Sequence, residues 1–189
     1  MMDFKIFVGS SAESRHIVEQ LIDNLDGLQV QNLVASVRPW YNLFGLGEVA
    51  IESLEAQLTI SDLAVFVFAA DDVLAMRNSD YFCTRDNVIF EAGMFIGRLT
   101  RKRVFLICPQ DDNASKYPYK ELSDLRGLNV IKAELRKLPG GMGERSINQL
   151  KQSVKNAMEQ DPRNMEPPED IGADKPLKPN TPKPRDYSF

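Results

Sequence analysis

The sequence has few of the residues on which metal centres and acid–base active sites are most often built. Its 189 residues include two cysteines (Cys83 and Cys108), one histidine (His16) and one tryptophan (Trp40). The cysteines lack the spacing of a metal-binding pair, and a solitary histidine argues against a histidine metal site or a histidine base. We therefore expect two free thiols, no metal, no resident cofactor, and chemistry carried by other side chains.

A membrane span, a secretory leader and a strong net charge are also missing. No apolar run approaches the ~20 residues that a membrane-spanning helix needs, and the run at 4–8 is too short for a signal-peptide core. The net charge of −4 gives no general electrostatic reason to bind nucleic acid or an anionic membrane. These features predict a cytoplasmic protein with neither nucleic acid nor membrane as a partner.

The common phosphate-binding and redox motifs are absent too. The sequence has no GxGxxG, no GxxxxGK[ST] and no CxxC. A nucleotide bound by this chain would therefore be held by something other than these loops.

What the sequence does contain is a regular alternation of strand and helix patterns. Short apolar or β-branched runs indicate five strands, at 4–8, 30–37, 63–68, 104–108 and 128–131. Apolar residues at helical spacing indicate helices at about 12–25, 51–60, 85–98 and 147–158. The run at 63–68 does not alternate, which is typical of a strand buried on both faces. This order predicts an α/β fold, a doubly wound, flavodoxin-like parallel sheet of about five strands flanked by helices.

The composition changes near the C-terminus. Seven of the eleven prolines lie in 161–189, among charged residues, and such a segment cannot bury a core. We predict a folded domain at 1–160 and a disordered or extended tail at 161–189. The tail is either a tether to a partner outside this chain or a solvated end.

A ligand site is expected beyond the carboxyl ends of the strands, where strand order reverses. The candidate binding residues follow three strands or begin the helix at 85–98, and they are Ser10, Ser11, Trp40, Asp71, Arg85 and Asn87. The two serines either bind a phosphate or ribose or simply cap the first helix. Asp71, together with Asp72, either orients a ribose or caps the following turn.

The loop that follows the second strand is rich in aromatic residues. Trp40, Tyr41 and Phe44 lie between Pro39 and Gly47. They form a lid over an aromatic base, a contact surface for another copy of the chain, or an anchor that ties the loop to its own domain.

Glu91 is the least expected residue of its helix. Its neighbours are apolar, namely Ile89, Phe90, Ala92, Met94, Phe95 and Ile96. Desolvation among such residues raises a carboxylate's pKa unless a partner compensates for it. Glu91 is therefore a catalytic candidate, or a structural residue that pairs with Arg85 or Arg98 or lies at the rim of a buried helix.

Several segments together resemble a known family. The segments 6–11, 61–67, 71–72, 85–99 and 123–128 are similar to the bacterial TIR-like predicted nucleotide-binding domains. These domains are fused to STING or act as cyclic-nucleotide-activated effectors in antiphage defence. The resemblance covers roughly Lys5 to Ile131 and is most specific around Glu91, which falls on the family's catalytic glutamate. It places the six candidate binding residues near the nucleotide pocket.

The resemblance implies an NAD+ nucleosidase that self-assembles through TIR–TIR contacts. Such an enzyme breaks the nicotinamide–ribose bond and gives nicotinamide with ADP-ribose or a cyclic variant of it. Nicotinamide leaves without needing a proton, so one carboxylate can support the oxocarbenium-like transition state. This chemistry suits a site with one glutamate and no histidine. The resemblance also implies a cyclic-nucleotide-sensing domain or partner outside this chain.

Two other functions remain open from the sequence. Nucleoside 2-deoxyribosyltransferases have a similar α/β layout, with a glutamate early in a helix, and also break N-glycosidic bonds. A non-catalytic TIR scaffold that recruits other TIR domains would have no need of Glu91.

Overall fold

The fold is built around a parallel sheet with helices on both faces. This computed structural model describes residues 1–42, 50–110, 116–123, 127–135 and 140–165. The strands are β1 (Met2–Gly9), β2 (Gln29–Val30), β3 (Leu33–Pro39), β4 (Leu63–Val67), β5 (Asp72–Met76), β6 (Ser79–Cys83), β7 (Val104–Pro109) and β8 (Asn129–Ala133). The helices are α1 (Arg15–Leu25), α2 (Ala50–Ile60), α3 (Asp86–Leu99), α4 (Glu144–Glu159) and α5 (Pro162–Met165). Across the described ranges, no helix has the length and apolarity to cross a membrane.

The strand order of the main sheet is β2-β3-β1-β4-β7-β8. All neighbours in it are parallel except β2, which runs antiparallel to β3. The chain moves from β1 to β3 on one side and then crosses to β4 on the other, so strand order reverses between β1 and β4. The doubly wound, flavodoxin-like sheet predicted from the sequence is confirmed, with five parallel strands and one short edge strand.

The strand predicted at 30–37 is two strands. Val30 pairs with Leu33, and Gln31 has the left-handed backbone that a two-residue turn requires (φ 51°). The chain therefore reverses direction within the predicted run, and β3 begins only at Leu33.

The segment between β4 and α3 contains a hairpin that the sequence did not predict. Strands β5 and β6 pair from Asp72 to Cys83, and the turn between them consists of Arg77 and Asn78, both with positive φ (50° and 62°). Backbone bonds with residues 118 and 120 hold Phe82 of β6 (3.0 and 2.7 Å). The hairpin thus attaches to the body of the domain through its second strand.

The helices cover the two faces of the sheet in pairs. On one face α1 and α4 pack through an apolar set, Ile17, Val18, Leu21, Leu25, Ile147, Leu150, Val154 and Met158. On the other face α2 and α3 pack through Leu54, Val88, Ala92 and Phe95. Strand β4 sends alternate side chains into both cores, and every one of its residues is buried. Burial on both faces explains why its sequence shows no polar alternation.

Three phenylalanines join α3 to the centre of the sheet. Phe95 stacks on Phe7 of β1 with centroids 4.4 Å apart, and it meets the ring of Phe66 of β4 edge-on at 5.4 Å. At Gly9, opposite Phe66 in the register, an added Cβ would lie 2.5 Å from the Phe66 ring. Only glycine fits at the end of β1 while that ring stays in place.

The folded domain extends past the boundary predicted at residue 160. Asp161 is 5% exposed, and its carboxylate accepts hydrogen bonds from Arg163 (2.7 and 3.1 Å) and from Arg103 (3.2 Å). Arg163 also pairs with Asp62, just before β4 (2.9 Å). Residues 161–165 therefore belong to the domain, because a buried carboxylate and two arginines tie them to the amino-terminal edge of the sheet. The rest of the tail predicted at 161–189, from residue 166 onward, lies outside the described residues.

We expect truncation after residue 160 and truncation after residue 165 to differ in thermal stability. Removing residues 166–189 should leave the melting temperature nearly unchanged, because proline-rich charged sequence buries little. Removing 161–189 should lower it by on the order of 5–10 °C. Arg103 would lose its buried partner Asp161, and Arg163 would be removed together with Asp161.

Calorimetry of both truncations, alongside Asp161→Asn and the exposed control Glu159→Gln, measures this difference. Equal melting temperatures for the two truncations would show that α5 contributes nothing to the fold.

Candidate functional site

The carboxyl ends of β1 and β4 lie side by side where strand order reverses. Ser10 and Ser11 follow β1 directly and are 6% and 3% exposed. Asp71 comes shortly after β4 and is partly buried. The crevice expected from the sequence therefore brings these predicted binding residues to one edge of the sheet.

Trp40 anchors the start of the aromatic loop to this edge. Its indole Nε1 donates a hydrogen bond to Ser10 Oγ (3.0 Å), and Ser10 Oγ donates in turn to the Ser11 carbonyl (2.8 Å). Tyr41 packs edge-on against Trp40 and under the guanidinium of Arg15. Of the three interpretations of the loop, an anchor to the chain's own domain fits these two aromatic residues. The third, Phe44, lies outside the described residues.

The two serine hydroxyls do not cap the first helix. Ser10 Oγ bonds to the Ser11 carbonyl. Ser11 lies at the N-cap position of the turn Ala12–Ser14 that leads into α1, but it makes no capping bond through its side chain. Within the described part of the chain, buried Ser11 Oγ has no well-aligned hydrogen-bond partner.

Asp71 lies beside Ser11 and has the second unpartnered oxygen at this edge. Its Oδ2 is buried without a well-aligned partner in the described ranges. Burial raises the pKa of Asp71, with smaller upward contributions from the carboxylates of Glu13 and Asp72. The Ser11 hydroxyl and Arg85 act in the opposite direction on that pKa. Carboxylate and hydroxyl groups with unused hydrogen-bonding capacity are suited to the hydroxyls of a sugar.

Arg85 pairs with carboxylates at the rim, not with Glu91. Its Nη2 donates to Glu13 Oε1 (2.9 Å) and reaches Asp72 Oδ1 at 3.5 Å. Glu13 was not predicted, because its contact with Arg85 joins residues 72 positions apart and depends on the strand order. The feature of the sequence that could have pointed to Glu13 is its position in the turn that follows β1.

Two polar side chains bond to the backbone at the start of α3. Asp86 Oδ1 accepts from the backbone N–H of Asn87 (2.7 Å), and Asn87 Oδ1 accepts from that of Val88 (2.9 Å). Both bonds run to the next residue in the chain, and the N-cap position belongs to Arg85, which makes no side-chain capping bond, so neither Asp86 nor Asn87 caps the helix. The Asn87 side-chain oxygen is thus already engaged, and its role in ligand binding stays a prediction.

Glu91 is a partly buried carboxylate on the side of α3 that faces the sheet. It lies between Val88 and Phe95, which are both fully buried, while the adjacent Phe90 is 60% exposed. Burial raises the pKa of Glu91 to about 7. No described residue forms an ion pair or hydrogen bond with it, so the proposed pairing with Arg85 or Arg98 is wrong.

The arrangement supports binding of sugar hydroxyls and of positive charge. A desolvated carboxylate is strongly attracted to a developing cation because the surrounding dielectric is low. Over the described ranges, no cluster of histidine, cysteine, aspartate and glutamate side chains could hold a metal ion.

Comparison with known proteins connects this edge to a described family. A model of the family "CAP12/Pycsar effector protein, TIR domain" matches residues 5–134. The match reaches every strand of the main sheet and includes every candidate site residue.

Three curated relatives illustrate the similarity. The chain is 40% identical over 128 residues to the Pycsar effector protein XpPycTIR of Xanthomonas perforans, covering 67% of this chain and 39% of that one. It is 36% identical to PaPycTIR of Pseudomonas aeruginosa, covering 77% and 46%. It is 30% identical to CD-NTase-associated protein 12 of Sphingobacterium faecium, covering 69% and 36%. The chain thus spans about two fifths of the length of these relatives.

The raised pKa of Glu91 predicts that Glu91→Gln stabilises the fold at neutral and alkaline pH. The folded state favours the protonated carboxyl, so stability falls as pH rises from about 4.5 to about 7. The neutral glutamine removes this penalty, which is on the order of 2 kcal/mol above pH ~7 after allowance for partial exposure.

Chemical unfolding of both proteins between pH ~4 and ~8.5 tests this prediction, with the exposed Glu55→Gln on α2 as the matched control. A Glu91→Gln protein that is less stable than the wild type at pH ~8 would mean that the carboxylate has a stabilising partner.

Proposed function

The chain belongs to the family of CAP12/Pycsar effector TIR domains, and we propose that it cleaves NAD+ at the nicotinamide–ribose N-glycosidic bond. The observation that carries the proposal is Glu91, a partly buried carboxylate without a protein partner among the described residues. A carboxylate kept unpaired in an apolar helix costs folding free energy, and such groups are concentrated at functional sites.

The chemistry of the reaction matches one such carboxylate. Departure of nicotinamide leaves positive charge on the ribose, and an ionised Glu91 stabilises that charge or attacks the anomeric carbon. The leaving group carries its own positive charge in the substrate, so no acid is needed to protonate it. Water as the nucleophile gives ADP-ribose, and a nucleophile within the substrate gives a cyclic variant.

The pKa of Glu91 sets the pH at which this carboxylate is active. At a pKa of about 7, roughly half of the free protein has it ionised at neutral pH. Bound NAD+ brings the cationic nicotinamide close to it and lowers this pKa, because an opposite charge favours the ionised form. The substrate therefore promotes the ionisation that its own cleavage requires.

The polar edge supplies groups for the rest of the substrate. Asp71 and Ser11 have unused capacity to bind ribose hydroxyls, and Arg85 provides a positive charge for the diphosphate. Trp40, fixed by its bond to Ser10, offers a ring for stacking against a base. Asn87 completes the proposed set.

The biological role that we propose is that of a cytoplasmic antiphage effector switched on by assembly. The relatives are named as Pycsar effectors and as a CD-NTase-associated protein. An NAD+-cleaving domain needs a switch, because constant activity would deplete the cofactor. We propose self-association through TIR–TIR contacts, driven by a cyclic-nucleotide-sensing domain or partner outside the described residues.

Glu91→Gln should lower NAD+ cleavage by at least about 100-fold, because it removes the charge at nearly constant volume. In the wild type, kcat/KM should rise with pH and level off above pH ~7, as the free protein's carboxylate ionises. Mass analysis of the products from NAD+ measures both effects. A parallel incubation with a deoxynucleoside and a free base tests for deoxyribosyl transfer.

The control for this experiment is Glu55→Gln, which should cleave NAD+ like the wild type. Full activity in a folded Glu91→Gln protein would reject Glu91 as the catalytic residue. Base exchange without NAD+ cleavage would identify a deoxyribosyltransferase, and no turnover by assembled protein would indicate a scaffold.

Assembly should raise the activity per molecule. A hundredfold increase in protein concentration, or a crowding agent, is expected to increase specific activity several-fold, since a modest interface can shift a two-state equilibrium. Activity assays paired with light scattering measure this, with Trp40→Ala testing the anchored loop. Specific activity that does not change with concentration, in a protein that remains monomeric, would show that assembly does not control the activity.

A further inference from the structure

Arg85 uses only part of its hydrogen-bonding capacity. A guanidinium has five N–H donors, and both ion pairs of Arg85 involve Nη2. Its Nε and Nη1 donate to no acceptor in the described part of the chain. With its side chain about one third exposed (33%), Arg85 therefore presents unused donors beside the crevice.

The ion pair between Arg85 and Glu13 is easily broken. The Glu13 side chain is 55% exposed, and ion pairs between exposed side chains contribute little to stability because water screens them. A hydrogen bond from its own backbone N–H, followed by that from Arg85, lowers the pKa of Glu13. Glu13 is thus a carboxylate at neutral pH that can move into solvent at small cost.

Carboxylates outnumber the guanidinium at this rim. Glu13, Asp71 and Asp72 all lie close enough to Arg85 to interact with it or with one another electrostatically. A phosphate that approaches Arg85 is attracted by the guanidinium and repelled by Glu13. Glu13 is the more exposed of the two acids paired with Arg85 (55% against 45% for Asp72), so it turns into solvent more readily.

Two unpartnered polar atoms lie next to this ion pair. Ser11 is 3% exposed. Its Oγ, like Asp71 Oδ2, has no well-aligned hydrogen-bond partner in the described ranges. The Ser11 hydroxyl lies close enough to Asp71 and to Glu13 to act downward on the pKa of each carboxyl, so the ion pair and these polar atoms form one site.

We propose that Glu13 is an internal competitor for Arg85 that sets the affinity of this site for nucleotides carrying a diphosphate. This inference rests on the proposed nucleotide site and goes beyond it by assigning a specificity-determining role to Glu13. In the free protein the Glu13 carboxylate pairs with Nη2 of Arg85 and repels an approaching phosphate. On binding, the diphosphate takes the Nε and Nη1 donors, Glu13 turns to solvent, and Asp72 keeps its contact with Nη2.

Binding of ADP and of adenosine tests the proposal, since the two probes share a nucleoside and differ in the diphosphate. Glu13→Gln should tighten ADP binding about 2- to 5-fold, the factor that corresponds to loss of an exposed ion pair. Adenosine binding should not change, and Arg85→Met should reduce ADP affinity towards that of adenosine. Isothermal titration calorimetry measures all of these constants without any turnover.

The matched control is Glu19→Gln. Glu19 pairs with Arg15 on α1 through a similarly exposed ion pair (3.1 Å), so its loss should leave ADP binding unchanged. The proposal is overturned if Glu13→Gln weakens ADP binding, if it tightens ADP and adenosine equally, if Glu19→Gln has the same effect, or if the wild type binds neither probe. The binding measurements involve no bond cleavage. They can therefore be interpreted even if the protein does not hydrolyse NAD+.

Discussion

The packing of Phe95 against Phe7 and Phe66 fixes where α3 lies and how it is rotated. A stacked contact at 4.4 Å and an edge contact at 5.4 Å join the helix to the two strands at the centre of the sheet. Glu91 precedes Phe95 by four residues, about one helical turn, and therefore lies on the same side of α3. The rotation that buries the ring thus carries the carboxylate into apolar surroundings. The same geometry brings Arg85, at the start of the helix, to the carboxyl edge of the sheet.

Much of the fold could be predicted from the sequence, because its central elements are marked by strong patterns. The run from Leu63 onward lacks polar alternation, and it is buried on both faces. The two hairpin turns were missed for a common reason. Gln31, Arg77 and Asn78 adopt positive φ without glycine or the usual Asn-Gly signal. Strands β5 and β6 also bury little, so their side chains carry no clear hydrophobic period.

The site was predictable where it depended on local sequence and unpredictable where it depended on topology. The conflict between Glu91 and its apolar neighbours was visible within one helix. The partners of Arg85 were not visible, since Glu13 reaches it only because β1 and β4 are adjacent. The same limit applied to Asp161. The composition of its segment suggests a solvated tail, yet its ion pairs with arginines hold it in a buried position.

The contact between Gly9 and Phe66 limits which single substitutions the protein can accept at these two positions. A side chain at position 9 meets the Phe66 ring at 2.5 Å, so it cannot be accepted while the ring is present. Loss of the ring first would open a cavity in the core at a cost of about 3–5 kcal/mol, a large share of a domain's total stability. Each single step is harmful and only the double replacement is compatible with packing. In this sequence the two residues at the floor of the crevice therefore constrain each other, whatever the loops above them bind.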